Sequence, residues 1–184
     1  MTSVILASGD LRIDLPLQLR IGIGWQPGLL AVEPDLDISA FPLDRFDRLP
    51  ESEFMVFYNN LQSPDSALQY SGDPTYIRES SQDQKTMELD FTQVDPRVQS
   101  LLLVVTLHEA AEYSHHFGLV ARAYIRLLDP VTQQEILRYS LDDDFSGETA
   151  IQVARFQRDG NQWQLTALGI PQAGGLKAFV AQYN

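Results

Sequence analysis

Asp35 and Asp37 are separated by one leucine in the run Asp35-Leu36-Asp37-Ile38-Ser39-Ala40-Phe41, and more oxygen-bearing side chains follow at Asn59, Asn60, Asp73, Asp83 and Glu109. Read as an extended strand, Asp35-Leu36-Asp37 turns both carboxylates to one face, about 6–7 Å apart along the backbone. Two like charges that close call for a cation or for water. Carboxylate and amide oxygens drawn from several loops are what calcium takes, about six to eight at a time. The pattern therefore nominates Asp35, Asp37, Asn59, Asn60, Asp73, Asp83 and Glu109 as metal ligands. The plainer reading of the same residues is a solvated acidic rim.

Other constellations carry less. Asp142-Asp143-Asp144-Phe145-Ser146-Gly147 imitates the start of a helix-flanked calcium loop, but the place of the required bidentate acid falls on Val153 and no helix flanks it. His108-Glu109-Ala110-Ala111-Glu112 lacks the second histidine of a zinc-protease helix, and His115 and His116 read as polar loop residues. No Gly-x-Ser-x-Gly turn is present and the histidines fall in one segment, so Ser-His-Asp catalysis has no support and a non-enzymatic protein is expected. Arg122 and Arg126, four apart, share one face of a strand, where they pair with acids or meet an anionic ligand. Trp25, Trp163, Phe117 and Tyr124 read as core or rim aromatics.

The elements that must position these groups are mostly strands. From Leu11 to Trp25 every odd position is apolar, which makes one long half-buried strand or two strands broken at Pro16. Gly22 and Gly24 leave the other face bare, the mark of a bulge or of a backbone packed close. Further strands are expected at 54–58, 86–91, 101–107, 121–128, 135–141, 151–158 and 162–168, separated by turn-rich segments. Leu101–Leu107 is apolar on both faces and belongs in the middle of a sheet. Arg155–Leu165 reads as a hairpin with Gly160 in its turn. After Gly174-Gly175, the spacing of Leu176, Phe179 and Val180 predicts a short C-terminal helix. The whole is an all-β, two-sheet sandwich, 1–184 as one domain, interrupted by a long polar loop from Asp73 to Lys85.

Composition narrows the partners. The formal net charge is −12, from 25 acidic and 13 basic residues, and no lysine or arginine cluster is present to displace counterions from a phosphate backbone. Nucleic acid is therefore not expected, and a cation or a basic protein is. With no cysteine, disulfides, thiolate metal sites and cysteine nucleophiles are excluded. The N-terminus lacks the charged start of a signal peptide and no apolar run reaches the length of a transmembrane segment, so a cytoplasmic protein is expected.

The segments Gly22-Ile23-Gly24-Trp25, Asp35-Leu36-Asp37-Ile38-Ser39-Ala40-Phe41, Phe57-Tyr58-Asn59-Asn60-Leu61, Ser71-Gly72-Asp73, Phe117–Arg126, Glu148-Thr149-Ala150 and Ala173–Leu176 fall in the order found in TerD-type tellurium-resistance and stress proteins. The resemblance spans nearly the whole chain. It implies a small acidic calcium-binding β-sandwich acting in tellurite resistance or stress response, with Asp35, Asp37, Asn59, Asn60 and Asp73 as the best-matched ligands. The chain departs from the pattern after Asp73. The Gly/Asp-rich loop that ends in two aspartates and a glutamate is here Pro74–Lys85, where only Asp83 survives and Lys85 sets a positive charge where a carboxylate is expected. The alternative is an acidic interaction scaffold of a stress complex, with protein partners and without metal.

Overall fold

The computed structural model describes residues 4–5, 9, 11–12, 15–26, 32–71, 83–141, 145 and 147–184. Period-two patterning produces two facing sheets. One carries β1 (Val4–Ile5), β9 (Glu135–Ser140), β8 (Ala121–Leu128), β3 (Gln18–Gln26), β6 (Lys85–Asp90) and β5 (Leu68–Tyr70) in that spatial order. The other carries β2 (Leu11–Arg12), β11 (Gln162–Pro171), β10 (Ala150–Asp159), β7 (Ser100–Leu107) and β4 (Leu36–Leu43). All pairings between these strands are antiparallel except β1 with β9. The all-β sandwich expected from the pattern is thus the fold.

The apolar stretch from Leu11 to Trp25 is two strands, one in each sheet, with Pro16 between them. Leu19, Ile21 and Ile23 of β3 are fully buried against Leu101, Leu103 and Val105 of β7 within the main core. The other face of β7 is buried as well. Leu102 and Val104 pack with Phe41, Leu43, Phe179 and Tyr183, because α2 (Gly175–Tyr183) lies over that side of the sheet. This explains why β7 is apolar throughout, and why β4 is buried at every position. β10 and β11 form the expected hairpin, with Gly160 at φ 59° in its turn.

One strand expectation fails. The segment 54–58 is not a strand. Ser52–Phe54 forms a short 3-10 turn, and Val56 touches β4 only through a single bridge to Ala40. The chain then folds back so that Phe57 pairs with Asn60, a turn held by the Asn60 amide, which donates to the carbonyls of Glu53 and Met55 at 2.8 and 2.7 Å. The strand at this edge is β4 instead, which tolerates Pro42 because an edge strand has one side without ladder bonds. A four-residue helix, α1 (Ala110–Tyr113), caps the exit of β7.

Candidate functional site

Asp35 and Asp37 do converge, and what lies between them is Lys85. Its Nζ stands 2.7 Å from Oδ1 of Asp35 and 2.7 Å from Oδ1 of Asp37. β4 brings the two acids to the end of one sheet, with Asp35 just before the strand. Lys85 opens β6 in the other sheet, so the ion pairs join the two layers. Lys85 is 4% exposed and Asp37 3%. The Asp35 side chain, at 45%, faces water. The Trp25 ring centroid is 6.0 Å from the ammonium, the Tyr70 hydroxyl is 3.4 Å from Asp37 Oδ1, and His108 Nδ1 is 3.6 Å from Asp37 Oδ2.

The electrostatics follow from this geometry. Burial lifts the Asp37 carboxyl above its ordinary range, while Lys85 pulls it back by hydrogen bond and charge. Burial also works against the ammonium, but the hydrogen bonds and charges of Asp35 and Asp37 together outweigh it and hold the Lys85 pKa above the ordinary lysine value. At neutral pH Lys85 is therefore an ammonium held between the two acids. A pair this deeply buried is costly to break, because removing one partner leaves the other charge without compensation.

The remaining nominated ligands lie elsewhere or are otherwise engaged. Asp73 and Asp142–Asp144 lie outside the described residues. Asn59 is exposed, and Asn60 spends its amide hydrogens on its own turn. Glu109 is exposed and left-handed, at φ 47°, with Oε1 3.5 Å from His108 Nε2. Asp83 is buried on the far side of the six-stranded sheet from the core. There Arg126 grips it with two bonds of 2.8 Å, and the Tyr124 hydroxyl donates to it at 3.0 Å.

That second cluster explains Gly22. What packs close to the glycine is a carboxylate and not a backbone: a Cβ at position 22 would come within 2.5 Å of the Asp83 Cγ. Arg126 extends the network to Glu135 at 3.2 Å, and Glu135 accepts from Arg138 at 2.6 Å. The Arg138 guanidinium lies 3.9 Å over the Tyr124 ring. Burial first, and then the Asp83 charge, push the Tyr124 phenol up to about 12. Arg126 thus pairs with acids as the spacing allows, whereas Arg122 is exposed at φ 53° beside the register shift between β3 and β8. His115 and His116 fall in the loop between α1 and the 3-10 turn at Phe117–Leu119, as expected, and His115 is buried there.

A calcium ion needs oxygens at about 2.3–2.6 Å on most sides. Between Asp35 and Asp37 it would meet the Lys85 ammonium already at bonding distance from both acids. Asp83, the surviving acid of the altered loop, is turned away and held by Arg126. Among the described residues no group of three or more acids and histidines is arranged to hold a metal ion. With Lys85 in place, Asp35 and Asp37 do not fit calcium.

Fold and site together define an antiparallel sandwich whose sheets are tied at one end by an acid–lysine–acid cluster. The sequence matches the TerD domain over residues 12–183, and the chain belongs to the TerD family of tellurium-resistance and stress proteins. It is 36% identical to the uncharacterized protein YceE of Bacillus subtilis (strain 168), over 99% of this chain and 98% of that one. It is 34% identical to the tellurium resistance protein TerD of Serratia marcescens, over 89% and 85% of the two chains. The crystal structure of a homologue of telluride resistance protein from Streptomyces coelicolor A3(2) superposes with a TM-score of 0.71 at 17% identity, covering 89% of this chain and 94% of that one. Among the described residues no helix is long and apolar enough to cross a membrane.

Proposed function

We propose that this TerD-family chain is a non-enzymatic cytoplasmic module of the stress response that works by docking a basic protein partner on its acidic end. The observation that carries the reading is the surface around His108. The His108 amide donates to the Asp35 carbonyl at 2.8 Å, its ring meets Tyr58 edge-on at 5.4 Å, Glu109 follows at the N-cap of α1, and Glu112 and Tyr113 lie on that helix. Asp35, Glu109 and Glu112 present carboxylates there, and Tyr58 and Tyr113 are 42% and 41% exposed. Acids interleaved with exposed aromatic rings suit lysine and arginine side chains, which the carboxylates attract and the ring faces receive.

Calcium as the ligand of this end is the second reading. It rests on the family resemblance and on the half-exposed Asp35 carboxylate, and it requires Lys85 to leave its place. Affinity capture in the presence of chelator separates the two. Docking predicts a defined partner that wild type retains in chelator and that a Glu109→Lys/Glu112→Lys variant loses. A partner held equally by both proteins, or captured only with calcium, contradicts it.

A further inference from the structure

We infer that Lys85 is a tethered counter-ion that takes the place of a divalent cation between Asp35 and Asp37 and makes this junction of the two sheets independent of metal. The inference stands on the lysine alone and holds whether or not a basic partner docks nearby.

Three observations lead to it. First, the ammonium sits where an ion shared by the two acids must sit, 2.7 Å from one oxygen of each. Second, it is shut from water at 4% exposure, although the chain has only two lysines, and a surface lysine would ordinarily keep its head solvated. Third, of the two described acids on the ammonium, the one that needs neutralising is Asp37, 3% exposed, while Asp35, whose side chain is 45% exposed, is solvated. Lys85 and Asp37 also lie on different sheets, so the lysine couples the two layers as a bridging ion would.

If one side chain excludes the metal, exchanging it should admit one. Lys85→Glu replaces the ammonium with a third carboxylate, giving hard-oxygen ligands on both sheets. The full-length proteins are titrated with calcium by calorimetry and with terbium by luminescence, for which Trp25 beside the site serves as the sensitiser. Lys85→Glu is expected to bind calcium at least tenfold more tightly than wild type, with a melting temperature that rises with calcium, and Lys85→Glu/Asp37→Asn is expected to lose both effects. Wild type is expected to show no calcium response that Asp37→Asn abolishes. Should Lys85→Glu fold only in millimolar calcium, that result also supports the inference. Should it not fold at all, Lys85→Gln, neutral and close in size, carries the test through an Asp37-dependent rise in melting temperature with calcium. Calcium binding by wild type that depends on Asp37, or a folded Lys85 variant with no Asp37-dependent response, overturns the inference.

Discussion

Lys85 at the start of β6 and Asp37 on β4 form an ion pair of 2.7 Å in which both side chains are withdrawn from water and each belongs to a different sheet. The pair therefore acts on the packing of the layers and not on a single strand. Its pH dependence has a definite sign. The folded-state pKa of Lys85 is raised, so its contribution is fully present below the ordinary lysine value of 10.5 and is lost as pH climbs through the higher folded value. Asp37 does not add the usual acid limb. Its pKa is raised by burial, so protonation at low pH does not weaken the fold through this group. Denaturant unfolding of wild type and Lys85→Met is expected to show a stability gap that closes on the alkaline side as Lys85 loses its proton, and narrows on the acid side as well, because Asp37, no longer pulled back by Lys85 in the variant, takes up a proton there.

The same pair should show strong coupling. Lys85→Met leaves Asp37 buried without its main counter-charge, a loss of about 3–5 kcal/mol. In a cycle with Asp37→Asn, the double variant should be less destabilised than the sum of the singles by about 2 kcal/mol or more. Additivity within about 0.5 kcal/mol would mean that the two side chains act independently.

Gly22→Ala should be destabilising although it fills no void in the core. The new Cβ collides with the Asp83 carboxylate, which Arg126 fixes by two bonds and which cannot swing aside without breaking them. A cost of about 1–3 kcal/mol is expected from overpacking. Adding Asp83→Ala should remove much of the steric part, which chemical denaturation of the double variant measures.

Phe179 tests the role of the C-terminal helix. Its ring is fully buried, with its centroid 6.1 Å from that of Phe41, and with Tyr183 it seals the face of β4 and β7 that the six-stranded sheet does not cover. Phe179→Ala is expected to cost about 3–5 kcal/mol. Hydrogen exchange should speed up in β4 more than in β3, which lies on the opposite layer.

Much of this was legible in the chain itself. Alternation predicted β3, β6, β8 to β11 and the common face of Asp35 and Asp37, because a half-buried strand must repeat every second residue, and an unbroken apolar run predicted β7. β5 is three residues long and too short to show a period, and β4 hides its strand character behind Asp37, Ser39 and Pro42. The site was legible as a conflict, a lysine where the resemblance calls for a carboxylate, but the resolution of that conflict was not. Spacing alone sets Asp83 and Lys85 on one face. The strand begins only at Lys85, so Asp83 turns over Gly22 to Arg126 while Lys85 reaches Asp37. That divergence depends on a sheet partner distant in sequence, to which a local pattern is blind.

The central claim, that Lys85 is held as an ion between Asp35 and Asp37, is tested most directly by nitrogen-15 NMR of the lysine ammonium groups. The chain has two lysines, Lys85 and Lys177, so the spectrum contains two assignable groups. A Lys85 ammonium signal that exchanges slowly with water at neutral pH, and that shifts in Asp37→Asn while Lys177 does not, is the predicted result. A Lys85 ammonium that exchanges as fast as that of Lys177 and ignores Asp37→Asn would contradict the account.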